Sequence, residues 1–370
     1  MPASVVDQRL EQEHLAFTLA VQRAVAPDPG VTACWSPFSV ASALGLTAMG
    51  ARGDTRAELV ELLSGDLDGH AALLATAARL PAEEDVLLSV SNTLWAREDI
   101  APRPEFAEQL VTAWPGGAIK DAPFATDPER SRQMINAVVA ATTRGLIPQL
   151  LAPGDITVDT IATLVNALYL KVAWRNAFPD RGTEPRPFDG AGDVPTMRLT
   201  KQLGYASAPG WQAVFLPARG GVEGVALLPD GPLTEAEPAL TAGHLGELLA
   251  ARAFRQVELY LPKFRVREKA DLTGALADLG VRTLFSRAAD LSGISDEPIV
   301  VSKVVHEAVL TIDEQGLEGA AATAVVMRAM AMAVRPEQPV VVRVDRPFLF
   351  LVRHVASGAV YFLARVVRPA

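Results

Sequence analysis

The feature that most restricts this chain is a long apolar run, Thr163–Trp174, with a single asparagine, Asn166, set inside it. An apolar run of this length reads as a buried strand, covered on both faces. It is not a membrane span, since no apolar stretch in the chain approaches the roughly 18–20 residues a bilayer needs. A second long strand is expected over Ile299–Ile312, and further strands over Val86–Ala96, Val340–Val344, Phe348–His354 and Val360–Val367, with a turn at Ser357-Gly358. Helical periodicity marks residues 6–26, 128–144, 234–251 and 271–280. Ser36-Pro37 reads as a helix start, and Thr55-x-x-Glu58 has the spacing of a capping box before Leu59. From Phe178 to Pro232 the chain is dense in Pro and Gly, which suggests short strands joined by turns. There is no fixed-period repeat and no linker between self-sufficient halves, so one α+β domain over residues 1–370 is expected.

Composition narrows the function. With 49% hydrophobic and 21% charged residues the chain is not of the disordered class. A net charge of -9 argues against a broad phosphate-binding surface and hence against a nucleic-acid partner. Cys34 is the one cysteine, which excludes an intrachain disulfide, a thiolate zinc cluster and a CxxC pair; its apolar setting beside Trp35 predicts a buried, inert thiol. Residues Asp7, Arg9, Glu11 and Glu13 leave no room for a signal peptide, so a cytoplasmic protein or a mature chain is expected.

The inventory for catalysis is nearly empty. None of His14, His70, His244, His306 and His354 has a second histidine at helical ligand spacing; His306-Glu307 begins like a zinc-protease motif, but Leu310 stands where the second ligand belongs. Gly220-Gly221-x-x-Gly224 lacks the spacing of a phosphate loop, no G-x-S-x-G elbow occurs, and Glu83-Glu84 reads as solvated charge. The residues point away from an enzyme, and no metal or cofactor is implied.

Residues 314–339 admit two readings. Ala and Met favour helix, so the tract reads as an Ala-rich helix. It also reads as an exposed loop able to become a strand. Taken with period two, Leu317, Gly319, Ala321, Thr323 and Val325 share a face free of charge, while Glu318 and Arg328 fall on the other. Such a segment could enter a sheet without burying a charge.

Val304–Gly316 followed by this tract resembles the fifth main-sheet strand and proximal hinge of the serpins, and the resemblance extends over essentially the whole chain. Ser36-Pro37-Phe38-Ser39, with Ala43-Leu44, resembles the family's second helix start, and Gly50-Ala51-Arg52-Gly53-Asp54-Thr55 the turn after it. Asn166-Ala167-Leu168-Tyr169-Leu170-Lys171-x-x-Trp174 and Phe178 resemble the third main-sheet strand, and Leu261-Pro262-Lys263-Phe264 the start of another. Asp345-Arg346-Pro347-Phe348-Leu349-Phe350, with Gly358 and Ala364-Arg365-Val366, resembles the C-terminal strands.

The resemblance implies a fold of three β-sheets with about nine helices and an exposed reactive-centre loop, at about 314–339. It implies an inhibitor whose loop is attacked by a serine protease, forms an acyl-enzyme and then inserts into the main sheet, dragging the protease with it. From Gly316 to Met330 an inserted strand would reach roughly 46 Å at about 3.3 Å per residue, close to the about 55 Å width of a compact chain of this size. The implied hinge is Glu314, Gly316, Leu317, Glu318, Gly319, Ala320, Ala321, Ala322 and Thr323. The family usually has Thr or Ser where Leu317 stands and Ala where Gly319 stands; Leu317 is uncharged, so insertion should survive, while its bulk bears on the rate. The implied reactive bond is Met330-Ala331, suited to chymotrypsin-, elastase- or subtilisin-like proteases, with Arg328 and Met332 as alternatives. The implied shutter is Ser39, Asn166 and His306, and the implied breach at the top of the sheet is Trp174 with the ion pair Lys263–Glu314. The partner is a target protease, held covalently by a monomer prone to loop–sheet polymerisation. An Ala- and Arg-rich, Lys-poor composition suggests a bacterial source. The rival readings are a non-inhibitory serpin-fold binding or carrier protein and an α+β hydrolase.

Overall fold

The computed structural model describes residues 8–83, 85–114, 117–317 and 338–369. It opens with α1 (Gln8–Val25), which buries Leu15, Phe17, Leu19 and Val21 among others. A short strand, β1 (Ala33–Trp35), leads into α2 (Pro37–Gly50), where the Ser36 hydroxyl accepts the Ser39 amide at 3.2 Å. Apart from Met49, every residue of α2 is buried, as suits a helix with no charged side chain on any face. Next come α3 (Gly53–Leu62) and α4 (Leu67–Ala77). The expected capping box at Thr55–Glu58 is not formed, because α3 already begins at Gly53. Instead the Thr55 hydroxyl accepts the Asp290 amide at 2.9 Å, and the Glu58 carboxylate takes the Thr283 hydroxyl at 2.6 Å and amide at 2.8 Å. Both side chains tie α3 to a distant segment.

The chain continues through β2 (Val86–Arg97), α5 (Pro104–Ala113), β3 (Gly117–Ala122), α6 (Pro128–Thr142) and β4 (Ala162–Ala173). Then follow β5 (Glu184–Phe188), β6 (Gly192–Ala208), β7 (Trp211–Pro217) and β8 (Val222–Pro229). β6 is 17 residues long, so this stretch is not made only of short strands. The helical pattern over 234–251 is two helices, α7 (Leu233–Ala239) and α8 (Ala242–Ala250), parted just after Pro238, which has no amide proton to continue a helix. β9 (Ala253–Pro262), β10 (Phe264–Asp271), α9 (Thr273–Asp278), β11 (Val301–Ile312), β12 (Gly316–Leu317), β13 (Val340–Arg343), β14 (Phe348–His354) and β15 (Val360–Val366) complete the chain.

Nine α-helices occur among the described residues, as expected, but the strands are hydrogen-bonded into two networks, not three. The six-stranded sheet runs β10-β11-β12-β4-β2-β3, and the nine-stranded one β1-β15-β14-β8-β7-β6-β9-β13 with β5 beside β6. The reason is β6, which pairs β9 over Thr196–Tyr205 and β7 over Gly204–Ala208, and so joins two sheets that shorter strands would leave separate. On one face of the six-stranded sheet lies α6, whose Ile135 and Val139 pack with Trp95, Val165 and Val305. Against the other face pack α2 and aromatic residues of the nine-stranded sheet; Phe264 meets Phe348 and Phe350 with ring centroids 5.7 and 5.4 Å apart. These two layers explain why β4 is apolar on both alternations.

Candidate functional site

β4 and β11 are parallel neighbours that pair from Ala162–Val301 up to Asn166–His306. Above that row they part. No pairing among the described residues joins Ala167–Lys171 to Glu307–Thr311, so two strand edges face one another across a slot. At its top β12 is wedged between them, with Leu317 opposite both Ile312 and Val172. The local sequence makes this wedge. The Asp313 carboxylate accepts the Gln315 and Gly316 amides at 2.8 and 3.1 Å, turning the chain back on β11. A Cβ on Gly316 would lie 2.2 Å from the Val172 carbonyl oxygen, so only glycine permits so close an approach. Leu317 is fully buried.

Just above the wedge stands the predicted Lys263–Glu314 pair, Nζ to Oε2 at 2.7 Å. The Thr183 hydroxyl donates to the other carboxylate oxygen at 2.7 Å. Burial raises the Glu314 pKa, but the Lys263 ammonium and the Thr183 hydroxyl more than offset this and hold it below the ordinary glutamate value. Trp174 is buried beside them; its indole N–H donates to the Asp313 carbonyl and its amide to the Gln315 carbonyl, both at 2.9 Å.

At the lower end of the slot, Asn166 and His306 sit opposite one another and are bonded. The Ser36 amide donates to His306 Nε2 at 3.0 Å, so the proton is on Nδ1, which donates to Asn166 Oδ1 at 3.0 Å. Asn166 Nδ2 donates to the Ser39 carbonyl at 2.8 Å and to Asn92 Oδ1. All five residues are buried, and burial lowers the His306 pKa to about 4. Ser39 is in this cluster through its carbonyl, not its hydroxyl, which is buried without a hydrogen-bond partner among the described residues. Asn92 was not predicted. The signal for it is an amide in the strand Val86–Ala96, and the register sets it directly opposite Asn166. Cys34 is buried, and burial pushes its thiol well above the ordinary range, as expected of an inert group. Glu318, Gly319, Ala320, Ala321, Ala322, Thr323, Arg328, Met330, Ala331 and Met332 lie outside the described residues.

A mixed sheet open by one strand, with the start of the chain's own following segment wedged into the opening, defines a class of protein able to take up a strand from within itself. The family model for serpins (serine protease inhibitors) matches residues 11–369, and the chain belongs to that family. The leukocyte elastase inhibitor of Sus scrofa is 33% identical to it over 383 residues, covering 98% of this chain and 100% of the relative. That of Bos taurus is 35% identical over 352 residues, covering 90% and 92%. The crystal structure of uncleaved ovalbumin superposes with a TM-score of 0.83 at 26% identity, covering 97% of this chain and 100% of the other. Both named relatives are mammalian, and the bacterial source suggested by composition finds no support in them.

Proposed function

We propose that this protein inhibits serine proteases of the chymotrypsin, elastase or subtilisin type by offering residues 314–339 as bait and trapping the acyl-enzyme. The observation that carries the reading is the slot between β4 and β11 with Leu317 already in register at its top. Continuing that register downward would set Glu318 against Lys171 and Thr311, a site where its carboxylate meets a cation. It would bring Thr323 between Asn166 and His306. Insertion therefore has to part the pairing at the lower end of the slot and the hydrogen bond between those two side chains. Each new ladder hydrogen bond would contribute about 0.5–1.5 kcal/mol net, so the intact molecule is held by a kinetic barrier and not by being its own lowest state.

In the proposed cycle the protease serine attacks the Met330 carbonyl, the Met330–Ala331 bond breaks, and Ala331 leaves with the new amino terminus. The Met330 carbonyl stays esterified to the serine. The freed segment fills the slot before water can reach the ester. Incubation with chymotrypsin and with pancreatic elastase tests this on a denaturing gel. A complex that survives SDS, with mass spectrometry locating the cut after Met330, is the expected result. Clean cleavage with continued turnover would favour a non-inhibitory serpin. A cleaved chain that melts at the same temperature as the intact one would show that no stored energy is released.

A further inference from the structure

β1 is an edge strand of the nine-stranded sheet and β10 an edge strand of the six-stranded one, and a cleft of about 200 Å³ lies between them. The turn from α1 into β1 contributes one wall. Arg365 of β15 fixes that turn. Its guanidinium donates to the Asp28 carbonyl at 2.6 Å, the Ala26 carbonyl at 2.9 Å and the Val31 carbonyl at 3.2 Å, and it pairs with Glu237 at 2.5 Å. The cleft is therefore built before any ligand arrives, and the arginine that lines it is already committed. Val25, Val31, Ala33, Ala270 and Leu272 give it a mainly apolar lining, and Val31 is 56% exposed. One group departs from that lining. On β10, Phe264, Val266, Glu268 and Ala270 share one alternation, and Phe264 and Val266 are buried in the core. Glu268 falls where this face opens into the cleft. Arg267 and Lys269, on either side of it, take the opposite alternation, where Arg267 pairs with Glu307 at 2.6 Å and Lys269 lies 3.7 Å from Asp155. Partial burial holds the Glu268 pKa above the ordinary glutamate value, and no positive charge among the described residues offsets this.

We propose that this cleft is a binding site for a small organic ammonium ion with one compact apolar group, an arylalkylamine in chemical class. The ammonium would lie against the Glu268 carboxylate, and the apolar group would cover Ala33, Ala270 and Leu272. A mainly apolar pocket with a few placed polar groups is the usual form of a small-molecule site. An apolar cavity of about 150 Å³ holds a benzene ring, so the space suits a single ring with a short amine arm. Anions are disfavoured by Glu268 and by Asp28, which also lines the cleft. A carboxylate on the inner face of an edge strand deters pairing with another chain, but that role needs no cleft beside it. The site lies on the far side of β11 from the slot, and the proposal does not rest on the inhibitory reading.

The probe is phenethylamine, titrated into the intact chain isotope-labelled at its alanine and valine methyl groups. Phenethyl alcohol and hydrocinnamate serve as the neutral and anionic counterparts. The titrations are run at about pH 7.5, where amine and carboxylates are charged, and at about 50 mM salt, where screening is weak. The expected result is a saturable shift of the Val31, Ala33 and Ala270 methyl signals with the amine. The alcohol should bind roughly fivefold more weakly, and hydrocinnamate should not saturate. Glu268→Gln should lower the affinity for the amine to that for the alcohol. Ala270→Leu, which fills the space, should abolish binding of both. Glu268→Gln keeps the shape of the side chain, so it reads the charge on its own should Ala270→Leu fail to fold. Absence of a saturable shift with the amine overturns the proposal. So does equal binding of the three probes, or an amine affinity left unchanged in Glu268→Gln. No protease is present in these samples, so a failure to trap chymotrypsin would defeat the inhibitory reading and leave this result standing.

Discussion

Lowering the pH should loosen the lower end of the slot through His306. Both ring nitrogens are committed, one accepting from Ser36 and the other donating to Asn166, so an added proton must displace the Ser36 amide. The folded pKa of about 4 lies below the usual 6.5, so between these values the unfolded chain binds more protons than the folded one. The contribution of His306 to stability is therefore complete above about pH 7 and is lost as the pH falls through 6.5 toward 4. With those two values, linkage gives a loss of about 2 kcal/mol on going from about pH 7.5 to about pH 5. His14, His70 and His354 are also held below the ordinary histidine value by burial and add to the total. The decisive quantity is thus the difference between the wild type and His306→Gln, from urea unfolding at both pH values. The wild type should lose about 2 kcal/mol more than the variant. Equal losses in the two proteins would refute both the protonation state and the commitment of the ring.

Three further outcomes follow from the top of the slot. Gly316→Ala places a Cβ against the Val172 carbonyl, so β12 should leave the sheet at a cost of about 1–3 kcal/mol; hydrogen exchange at the Leu317 amide should accelerate, and unchanged protection would count against the wedge. Leu317→Arg puts an unpaired charge where the side chain is fully buried, so it should turn inhibitor into substrate, seen as cleaved chain replacing complex on a gel. At the ion pair the two deletions should differ. Lys263→Ala leaves a largely buried Glu314 with the Thr183 hydroxyl and its own backbone amide but no cation, whereas Glu314→Gln keeps an acceptor for Thr183 and leaves a Lys263 that is 38% exposed and can turn to water. Lys263→Ala should therefore lower the melting temperature more.

What could be read from the sequence, and what could not, divides along a physical line. Elements whose apolar pattern is long and whose starts carry a cap were legible: β4 is mostly apolar on both alternations because layers cover both its faces, and the Ser36-Pro37 start works as a cap. Thr55 and Glu58 misled because a hydroxyl and a carboxylate can cap a helix or bond across the fold, and spacing alone cannot tell which; here both reach residues more than two hundred positions away. The same holds for the join of two sheets through β6, since a pairing partner is a long-range property that composition does not carry. The lower end of the slot shows the limit most clearly. His306 and Asn166 could be named from their place in apolar strands, but Asn92 completes the hydrogen bonding of Asn166, and Ser39 contributes a carbonyl that any residue would have. The Ser39 hydroxyl left over is then a buried donor without an acceptor among the described residues, and such a group is destabilising. Under the proposed insertion, continuing the β12 register would bring the Thr323 hydroxyl to this row and offer that donor an acceptor. A residue that looks poorly chosen for the resting fold is thus consistent with the proposal that the resting fold is not the final one.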